Sequence, residues 1–177
     1  MLKAQDKYII EKGTKEGWTE GSCVSIVLLR GKTLFSANLG DSHMILAHRN
    51  NLSYTMTPIR ISETHKATEE AEKQRISKAG GMVMRGRVFG DLSISRALGD
   101  LNYKIPKQEA DYVSSDAFVK EIALTDEHIF VILASDGLWD KISFQEAIDM
   151  VHSKIKVCWT FYKVGKLITY SILLLKN

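Results

Sequence analysis

Cysteine and long apolar runs are both scarce in this sequence, and each absence excludes a class of protein. The two cysteines, Cys23 and Cys158, stand far apart and form no metal-ligand spacing, which argues against a disulfide framework and favours reduced thiols inside a cell. Residues 1–6 lack the apolar core of a signal peptide. No run reaches the ~18–20 apolar residues of a membrane-spanning helix. We therefore expect no membrane partner and a cytoplasmic or nuclear location, or both.

An excess of charge of one sign is also missing. The chain has 24 Lys and Arg residues against 21 Asp and Glu residues, which leaves a scattered net charge of +3. That balance is too small to indicate a nucleic-acid partner or an anionic membrane surface. The 177 residues are 45% hydrophobic and 25% charged, as in ordinary globular proteins. This length is most simply one domain, and we expect a monomer.

Strand and turn signals dominate the first third of the chain, after one predicted helix. Short turns of two or three polar or glycine residues separate the apolar runs, a spacing that favours antiparallel pairing of consecutive strands. We predict a helix at residues 2–12 and a four-stranded meander at residues 24–29, 33–39, 43–48 and 52–56.

Helices and two more strands fill the remainder of the chain. Thr68 could cap a short charged helix that ends before Gly80, and its weak apolar face places it on the surface. Ser143 and Glu146 match a capping box, and apolar residues follow them at helical spacing. The two strands are predicted at residues 120–124 and 129–134. The pattern as a whole predicts an α+β fold of antiparallel sheets flanked by helices.

Two predicted strands each end in an aspartate. The apolar run at residues 129–134 indicates a strand buried on both faces, and it leads to Asp136, with a second carboxylate at Asp140. The strand at residues 33–39 leads to Asp41. An acid at the end of a buried strand loses much of its hydration, so it needs a cation or several donors. Two strand ends that deliver carboxylates suggest a shared site for a hard cation such as Mg²⁺ or Mn²⁺. The alternative is that Asp136 and Asp41 are turn residues whose carboxylates bond nearby backbone amides.

Two arginines and the lack of a nucleophile bear on what such a site could do. Arg87 and Arg96 could contact a phosphate, because a guanidinium matches its geometry, or could pair with Asp91 or Asp100. Carboxylates around two hard cations suit the delivery of a metal-bound water to phosphorus. No protein nucleophile is indicated, because Ser42 and Ser135 lack a neighbouring base in the arrangement of a catalytic triad.

Ordered blocks of residues then identify a family. The blocks are Glu20-Gly21-Ser22, Ala37-Asn38-Leu39-Gly40-Asp41-Ser42, His65-Lys66 with Glu72, Arg75-Ile76 and Ala79-Gly80-Gly81, Arg87-Val88-Phe89-Gly90-Asp91-Leu92, Ser95-Arg96-Ala97-Leu98-Gly99-Asp100, and Ala134-Ser135-Asp136-Gly137-Leu138-Trp139-Asp140. Through these blocks the chain resembles the metal-dependent protein phosphatases of type 2C, which act on phosphoserine and phosphothreonine.

The resemblance implies a fold, a cofactor and roles for several residues. It implies a β-sandwich of two antiparallel sheets flanked by helices, with a Mg²⁺ or Mn²⁺ centre and a phosphoprotein substrate. Asp136 corresponds to a ligand of the binuclear centre, and Asp41 and Asp140 to residues that hold a further metal with it. Arg87 and Arg96 fall in or beside the family's flap at the substrate cleft. Asp100 corresponds to a residue that braces structure rather than binding metal.

The departures from the family pattern are as informative. The sequence has no Glu-Asp ligand pair, no Asp-Gly-His-Gly-Gly motif and no late Asp-Asn motif, and Thr64 replaces the usual aspartate before His65. We therefore expect residues 1–156 to form a partial, incomplete type 2C domain that begins inside the family's domain and is weak or inactive alone. The alternative function is a non-catalytic binding or regulatory module of phosphatase-like structure.

Residues 157–177 form an apolar tail with no matching polar face. One interpretation is that the tail supplies one or two further core strands. We favour another, in which the tail does not belong to the domain architecture, as a shifted or read-through reading frame would produce. An exposed tail of this composition would promote aggregation.

Overall fold

The computed structural model describes residues 1–51, 55–104, 111–155 and 170–175. These residues group into two compact units. The first unit comprises Met1–Val24, Ala37–Asp41 and Thr64–Phe118, and the second comprises Ser25–Ser36, Ser42–Glu63 and Val119–Asn177. Within the described residues, no helix combines the length and the apolar composition needed to cross a bilayer.

Helices and strands alternate irregularly along the chain. The helices are α1 (Leu2–Glu16), α2 (Glu70–Lys78), α3 (Asp136–Trp139) and α4 (Phe144–Ile155), with a 3₁₀ turn at Leu101–Tyr103. The strands are β1 (Gly21–Ser22), β2 (Val24–Arg30), β3 (Thr33–Leu39), β4 (His43–Arg49), β5 (Met56–Arg60), β6 (Val83–Met84), β7 (Arg87–Val88), β8 (Leu98–Gly99), β9 (Phe118–Ala123), β10 (His128–Ala134) and β11 (Tyr170–Leu174).

The second unit is a sandwich of two sheets with a helix on one outer face. One sheet has the strand order β11-β10-β4-β5 and the other has the order β2-β3-β9. Successive residues of a strand point to opposite faces, so Met44 and Leu46 join the core between the sheets while Ile45 and Ala47 face α4. Strand β10 divides its apolar residues in the same way, which explains its uninterrupted apolar run. The predicted α+β fold with antiparallel sheets is confirmed.

The predicted capping box at the start of α4 is confirmed. The backbone N–H of Ser143 donates to Oε2 of Glu146 at 2.8 Å, and the backbone N–H of Glu146 donates to Oγ of Ser143 at 3.2 Å. These bonds satisfy amides that a helix start leaves without partners. The helix then buries Ala147 and Ile148 against β4 and β10, as its apolar spacing predicts.

The first unit has its own small core. Ala67, Ile76, Val88, Ala97 and Val113 are buried together, and the two-stranded ribbon β6-β7 packs on them through Val83 and Val88. Helix α2 lies on the surface with most of its residues exposed, as predicted, and its weak apolar face contributes the buried Ile76 to this core. Its N-cap is Glu69 rather than Thr68, whereas Gly80 does follow its end in the left-handed conformation, at φ 82°.

The predicted four-stranded meander is also wrong. Strands β2 and β3 belong to one sheet, and β4 and β5 belong to the other. The chain changes sheets at Gly40, whose φ of 95° is accessible at little cost only to glycine. The fourth strand covers Met56–Arg60 instead of residues 52–56. Pro58 is tolerated there because β5 is an edge strand, where a missing N–H breaks no ladder on the open side.

Part of the apolar tail is placed in the second unit. Strand β11 pairs antiparallel with β10, in a register that aligns Ile172 with Ile132, and Leu175 joins the core between the sheets. This placement agrees with the interpretation that the tail supplies a core strand. The predicted domain boundary at residue 156 and the segment 156–169 lie outside the described residues.

Replacing Gly99 with alanine should destabilise the first unit because two constraints act at that position. Gly99 has a φ of 74°, and a Cβ there would lie 2.3 Å from the carbonyl oxygen of Glu20. We expect a loss of about 2–4 kcal/mol in the free energy of unfolding, measured by urea denaturation. Gly17→Ala is the matched control, since Gly17 also has a φ of 74° but open space around its Cβ position. Equal losses in the two variants would contradict the steric argument.

Candidate functional site

Asp136 and Asp140 lie at the two ends of the short helix α3. Asp136 is the first residue after the cap Ser135, and the backbone N–H of Asp140 donates to the carbonyl oxygen of Asp136 at 2.8 Å. The indole N–H of Trp139 donates to the carbonyl oxygen of Ala134 at 2.8 Å, which fixes α3 on the end of β10. Both aspartates are exposed to solvent. The dehydration expected of an acid at the end of a buried strand is therefore absent.

Asp41 has a different environment in the first unit. Its side chain is 14% exposed, and its Oδ2 lies 3.6 Å from the ammonium of Lys66. The thiol of Cys23 lies 3.9 Å from its Oδ1. The backbone N–H of His65 donates to the carbonyl oxygen of Gly40 at 3.1 Å, which holds Lys66 beside this turn. The Asp41 carboxylate is thus paired with a cation of the chain itself.

The described side chains do not on their own fit a binuclear metal centre. Among the residues for which the structure gives a placement, no three His, Cys, Asp or Glu side chains come together in a way that could hold a metal ion. Asp41 belongs to the first unit, and Asp136 and Asp140 belong to the second. A carboxylate paired with lysine and two exposed carboxylates offer too few oxygen ligands for two hard cations. The metal-ligand role of Asp41, Asp136 and Asp140 stays a prediction.

The two candidate phosphate-binding arginines differ in how they are engaged. Arg96 donates from Nη2 to Oε1 of Glu72 at 2.5 Å and from Nη1 to the carbonyl oxygen of Asp116 at 2.8 Å. Arg87 is exposed and donates from Nη1 to the carbonyl oxygen of Asp91 at 2.6 Å. Arg96 therefore forms a salt bridge, which was the alternative to phosphate binding, but its partner is Glu72 rather than Asp91 or Asp100.

A buried charged network surrounds Glu72. Its carboxylate accepts hydrogen bonds from Arg96 and also from Arg75, whose Nη2 lies 3.0 Å from its Oε2. Arg75 in turn donates to the carbonyl oxygens of Ser95 and Tyr112, at 2.8 and 3.1 Å. Burial alone would raise the pKa of Glu72, but the hydrogen bonds from Arg96 and Arg75 outweigh it and lower that pKa to about 2. The network ties α2 to the segments around residues 95 and 112.

His65 lies beside the same network and is almost fully buried. Among the residues that the structure describes, its Nδ1 has no hydrogen-bond partner. Burial and the positive charge of Arg96 disfavour the imidazolium and lower the pKa of His65 to about 4. The burial of His65 was not predicted, because no helical or strand spacing relates this histidine to other polar residues.

Acid should destabilise the chain through His65 between pH 6.5 and pH 4. The unfolded state binds a proton near pH 6.5 and the folded state only near pH 4, so the stabilising effect is complete above pH 6.5 and is lost as the pH falls. We expect a decrease of about 2 kcal/mol in the free energy of unfolding between pH 6.5 and 4.5. His65→Gln should flatten this part of the pH profile, and His152→Gln on α4 should not. An unchanged slope in His65→Gln would contradict the assignment.

A second buried ion pair was not predicted from the sequence. The Nζ of Lys104 lies 2.8 Å from both carboxylate oxygens of Asp6 and 2.8 Å from the carbonyl oxygen of Ala97. The backbone N–H of Gly99 donates to Oδ1 of Asp6 at 2.9 Å. The two ion-pair partners are 98 positions apart, so no local pattern could reveal them.

Asp100 takes a structural position next to this pair. Its backbone is left-handed, with φ 52°, and its N–H donates to the carbonyl oxygen of Glu20 at 3.0 Å. A Cβ on Gly21 would lie 2.1 Å from the carboxyl group of Asp100, so a glycine at position 21 leaves the space that this carboxyl group occupies. Burial raises the pKa of Asp100, with Lys104 acting in the opposite direction. These contacts support the predicted bracing role.

Comparisons with known proteins agree with the family resemblance of the sequence blocks. The family model for protein phosphatase 2C matches residues 1–161. The chain is 36% identical over 157 residues to the probable protein phosphatase 2C 21 of Arabidopsis thaliana, covering 85% of this chain and 42% of that protein. It is 38% identical over 150 residues to protein phosphatase 1G of Homo sapiens, covering 82% of this chain and 26% of that protein.

A solved structure shares the fold. The serine-threonine phosphatase 2C from Toxoplasma gondii superimposes with a TM-score of 0.76 at 21% identity, over 88% of this chain and 54% of that one. The chain thus spans only about two fifths of the length of the Arabidopsis relative. The predicted resemblance is confirmed: this chain belongs to the protein phosphatase 2C family.

Proposed function

We propose that this chain is part of a metal-dependent protein serine/threonine phosphatase that hydrolyses phosphoserine and phosphothreonine in proteins. The observation that carries the proposal is the family match over residues 1–161. The ordered blocks that end in Asp136 lie within this range. The proposed substrate is a phosphoprotein, and the proposed location is the cytoplasm, the nucleus or both. We further propose that the protein acts as a monomer without a nucleic-acid or membrane partner.

The metal is the cofactor of the proposed reaction. Metal dependence is a property of the family, and we propose Mg²⁺ or Mn²⁺ because carboxylate oxygens are hard ligands. Asp136 is the proposed ligand, with Asp41 and Asp140 at a further metal. Arg87 and Arg96 are the proposed flap residues near the substrate, with the exposed Arg87 better placed to receive a phosphate. Since the described carboxylates are too few for two cations, activity is proposed for the complete protein, and this chain alone should be weak or inactive.

Loss of the Asp136 carboxylate should weaken binding of Mn²⁺. We expect Asp136→Ala to raise the dissociation constant at least about tenfold, as loss of a ligand or of its supporting shell does in other metal sites. Isothermal titration calorimetry with Mn²⁺ on the 177-residue chain measures this, together with turnover of p-nitrophenyl phosphate. Asp149→Ala is the control, because Asp149 is an exposed carboxylate of α4 that accepts a hydrogen bond from Gln145 at 3.0 Å. Equal Mn²⁺ binding by the two variants would argue against Asp136 as a ligand.

A non-catalytic binding or regulatory module is the second candidate function. The pairing of Asp41 with Lys66 favours it, because a lysine ammonium beside a ligand carboxylate competes with a metal for the same charge. Two measurements separate the candidates. Turnover that requires Mn²⁺ and is lost in Asp136→Ala supports the phosphatase. Because this chain alone should be weak or inactive, absent turnover does not decide between the candidates, whereas capture of a partner protein by the folded chain, without Mn²⁺ binding or turnover, supports the binding module.

A further inference from the structure

The turn between β9 and β10 is closed by a histidine side chain. The backbone N–H of Thr125 donates to Nδ1 of His128 at 2.9 Å, and the backbone N–H of His128 donates to the carbonyl oxygen of Thr125 at 3.1 Å. Strands β9 and β10 belong to different sheets of the sandwich, so this turn is one of the connections between the sheets. We call residues 125–128 the histidine turn.

The hydrogen bond from Thr125 exists only while His128 is neutral. A backbone N–H can donate only to a ring nitrogen that carries no proton, so the proton of the neutral imidazole is on Nε2. A second proton would enter at Nδ1 and would place two donors against each other. Protonation of His128 therefore removes the bond that closes the turn, and histidine is the side chain whose charge ordinarily changes between about pH 5 and 8.

His48 lies opposite His128 on β4. The two residues are cross-strand partners, and their rings meet edge-on with centroids 5.5 Å apart. The Nε2 of His48 lies 3.1 Å from Oε2 of Glu127, which belongs to the histidine turn. A proton on His48 is therefore compensated by a carboxylate, and its charge repels a second proton on His128.

Charged side chains from three elements adjoin the histidine turn. They are Lys32 before β3, His48 and Arg49 on β4, and Asp126 and Glu127 in the turn itself. Burial and then the positive charge of His48 lower the pKa of His128, while Glu127 acts in the opposite direction. Because the pKa of His128 in the folded chain lies below the ordinary value of 6.5, the neutral form that closes the turn is complete above pH 6.5 and is lost as the pH falls.

Further hydrogen bonds hold the histidine turn to the end of β4. The backbone N–H of Arg49 donates to the carbonyl oxygen of Glu127 at 2.7 Å, and Nη2 of Arg49 donates to the carbonyl oxygen of Asp126 at 3.2 Å. The register of the β4–β10 pair shifts between His128 and Phe130. Such an irregularity separates the end of a ladder from its regular part, so the turn can open while the pairing from Phe130 onward persists.

We propose that the histidine turn is a proton-operated switch, in which protonation of His128 breaks the bond from Thr125 and releases the turn from β4, and in which the charge of His48 sets the pH of the change. The proton comes from solvent, and no covalent bond of the backbone changes. The ladder from Phe130 onward stays paired in the open state, so the change is local. This inference rests on the second unit alone and does not depend on the proposed phosphatase activity.

Amide hydrogen exchange followed by NMR on the 177-residue chain tests the proposal. We expect the protection factor of the Thr125 amide, which is corrected for the intrinsic effect of pH, to fall at least about fivefold between about pH 7.5 and pH 5, in step with the titration of the His128 ring. The amide of Leu133, within the β4–β10 ladder, should stay at least about tenfold better protected than that of Thr125 at pH 5. Equal protection of the two amides at pH 5, or unchanged protection of Thr125 while His128 titrates, would overturn the proposal.

Variants of the two histidines distinguish the switch from a general effect of acid. His128→Asn keeps an acceptor near the position of Nδ1 but cannot be protonated, so Thr125 should stay protected at pH 5. His48→Gln keeps a donor for Glu127 but removes the positive charge, so the turn should open at a higher pH. His152→Gln on α4 is the control and should behave like the original chain. A dependence on pH that persists in His128→Asn, or an opening pH that is unchanged in His48→Gln, would overturn the proposal.

Discussion

Lys104→Met should lower the free energy of unfolding by about 3–5 kcal/mol, because it leaves the buried Asp6 carboxylate without its partner. Both side chains of this pair are almost fully buried, and each carboxylate oxygen of Asp6 lies 2.8 Å from the ammonium. Methionine has a similar length and apolar character to the lysine stem, so the loss reports the charge rather than a cavity. The free energy of unfolding is obtained from urea denaturation followed by circular dichroism.

A double variant separates the unpaired charge from other effects. Asp6→Asn keeps an acceptor for the backbone N–H of Gly99 but removes the negative charge. Combined with Lys104→Met, it should restore about 2 kcal/mol relative to the sum of the two single losses. Lys7→Met is the control, because the ion pair of Lys7 with Glu11, at 3.7 Å, is exposed, so its loss should change stability by less than about 0.5 kcal/mol. Strictly additive losses would mean that the Asp6–Lys104 attraction contributes little.

Features that depend on neighbouring residues were predictable from the sequence. The capping box at Ser143 and Glu146 involves residues three apart, and the turn between β2 and β3 is set by its own residues. The apolar run in β10 predicted a strand buried on two faces, because no amphipathic element has that composition. The same local information includes the blocks that identify the family.

Features that depend on distant residues were not predictable in the same way. The spacing of β3 and β4 resembles a hairpin, and only the cores that they face show that the chain changes sheets at Gly40. The pairing of β1 with β8 joins Gly21 to Gly99. Asp136 illustrates a different limit, since the sequence predicted a dehydrated carboxylate and the structure places it at an exposed helix start. A motif identifies which residues matter to a family but not how solvent reaches each of them.

Glu72→Gln should destabilise the chain by about 3 kcal/mol at neutral pH, because two arginine side chains lose the carboxylate that compensates them. Glutamine keeps the size of the side chain, so the loss of the charge is the main change. The side chain of Glu72 is 5% exposed, and those of Arg75 and Arg96 are mostly buried. Glu70→Gln on the same helix is the matched control, since Glu70 is exposed and accepts a 2.8 Å hydrogen bond from Gln74. This change should cost less than about 0.5 kcal/mol.

The pH dependence gives this prediction a second readout. The pKa of Glu72 is about 2 in the folded chain against an ordinary value of 4.5, so its stabilising effect is complete above pH 4.5 and is lost as the pH falls towards 2. In the original chain this loss amounts to about 3 kcal/mol, and it should disappear in Glu72→Gln but persist in Glu70→Gln. The window lies below most of the His65 titration, so the two groups can be distinguished by their separate variants. If Glu72→Gln and the original chain lose stability equally below pH 4.5, the arginine network does not hold Glu72 ionised, and its cohesion must come from the hydrogen bonds that Arg75 and Arg96 donate to backbone carbonyls.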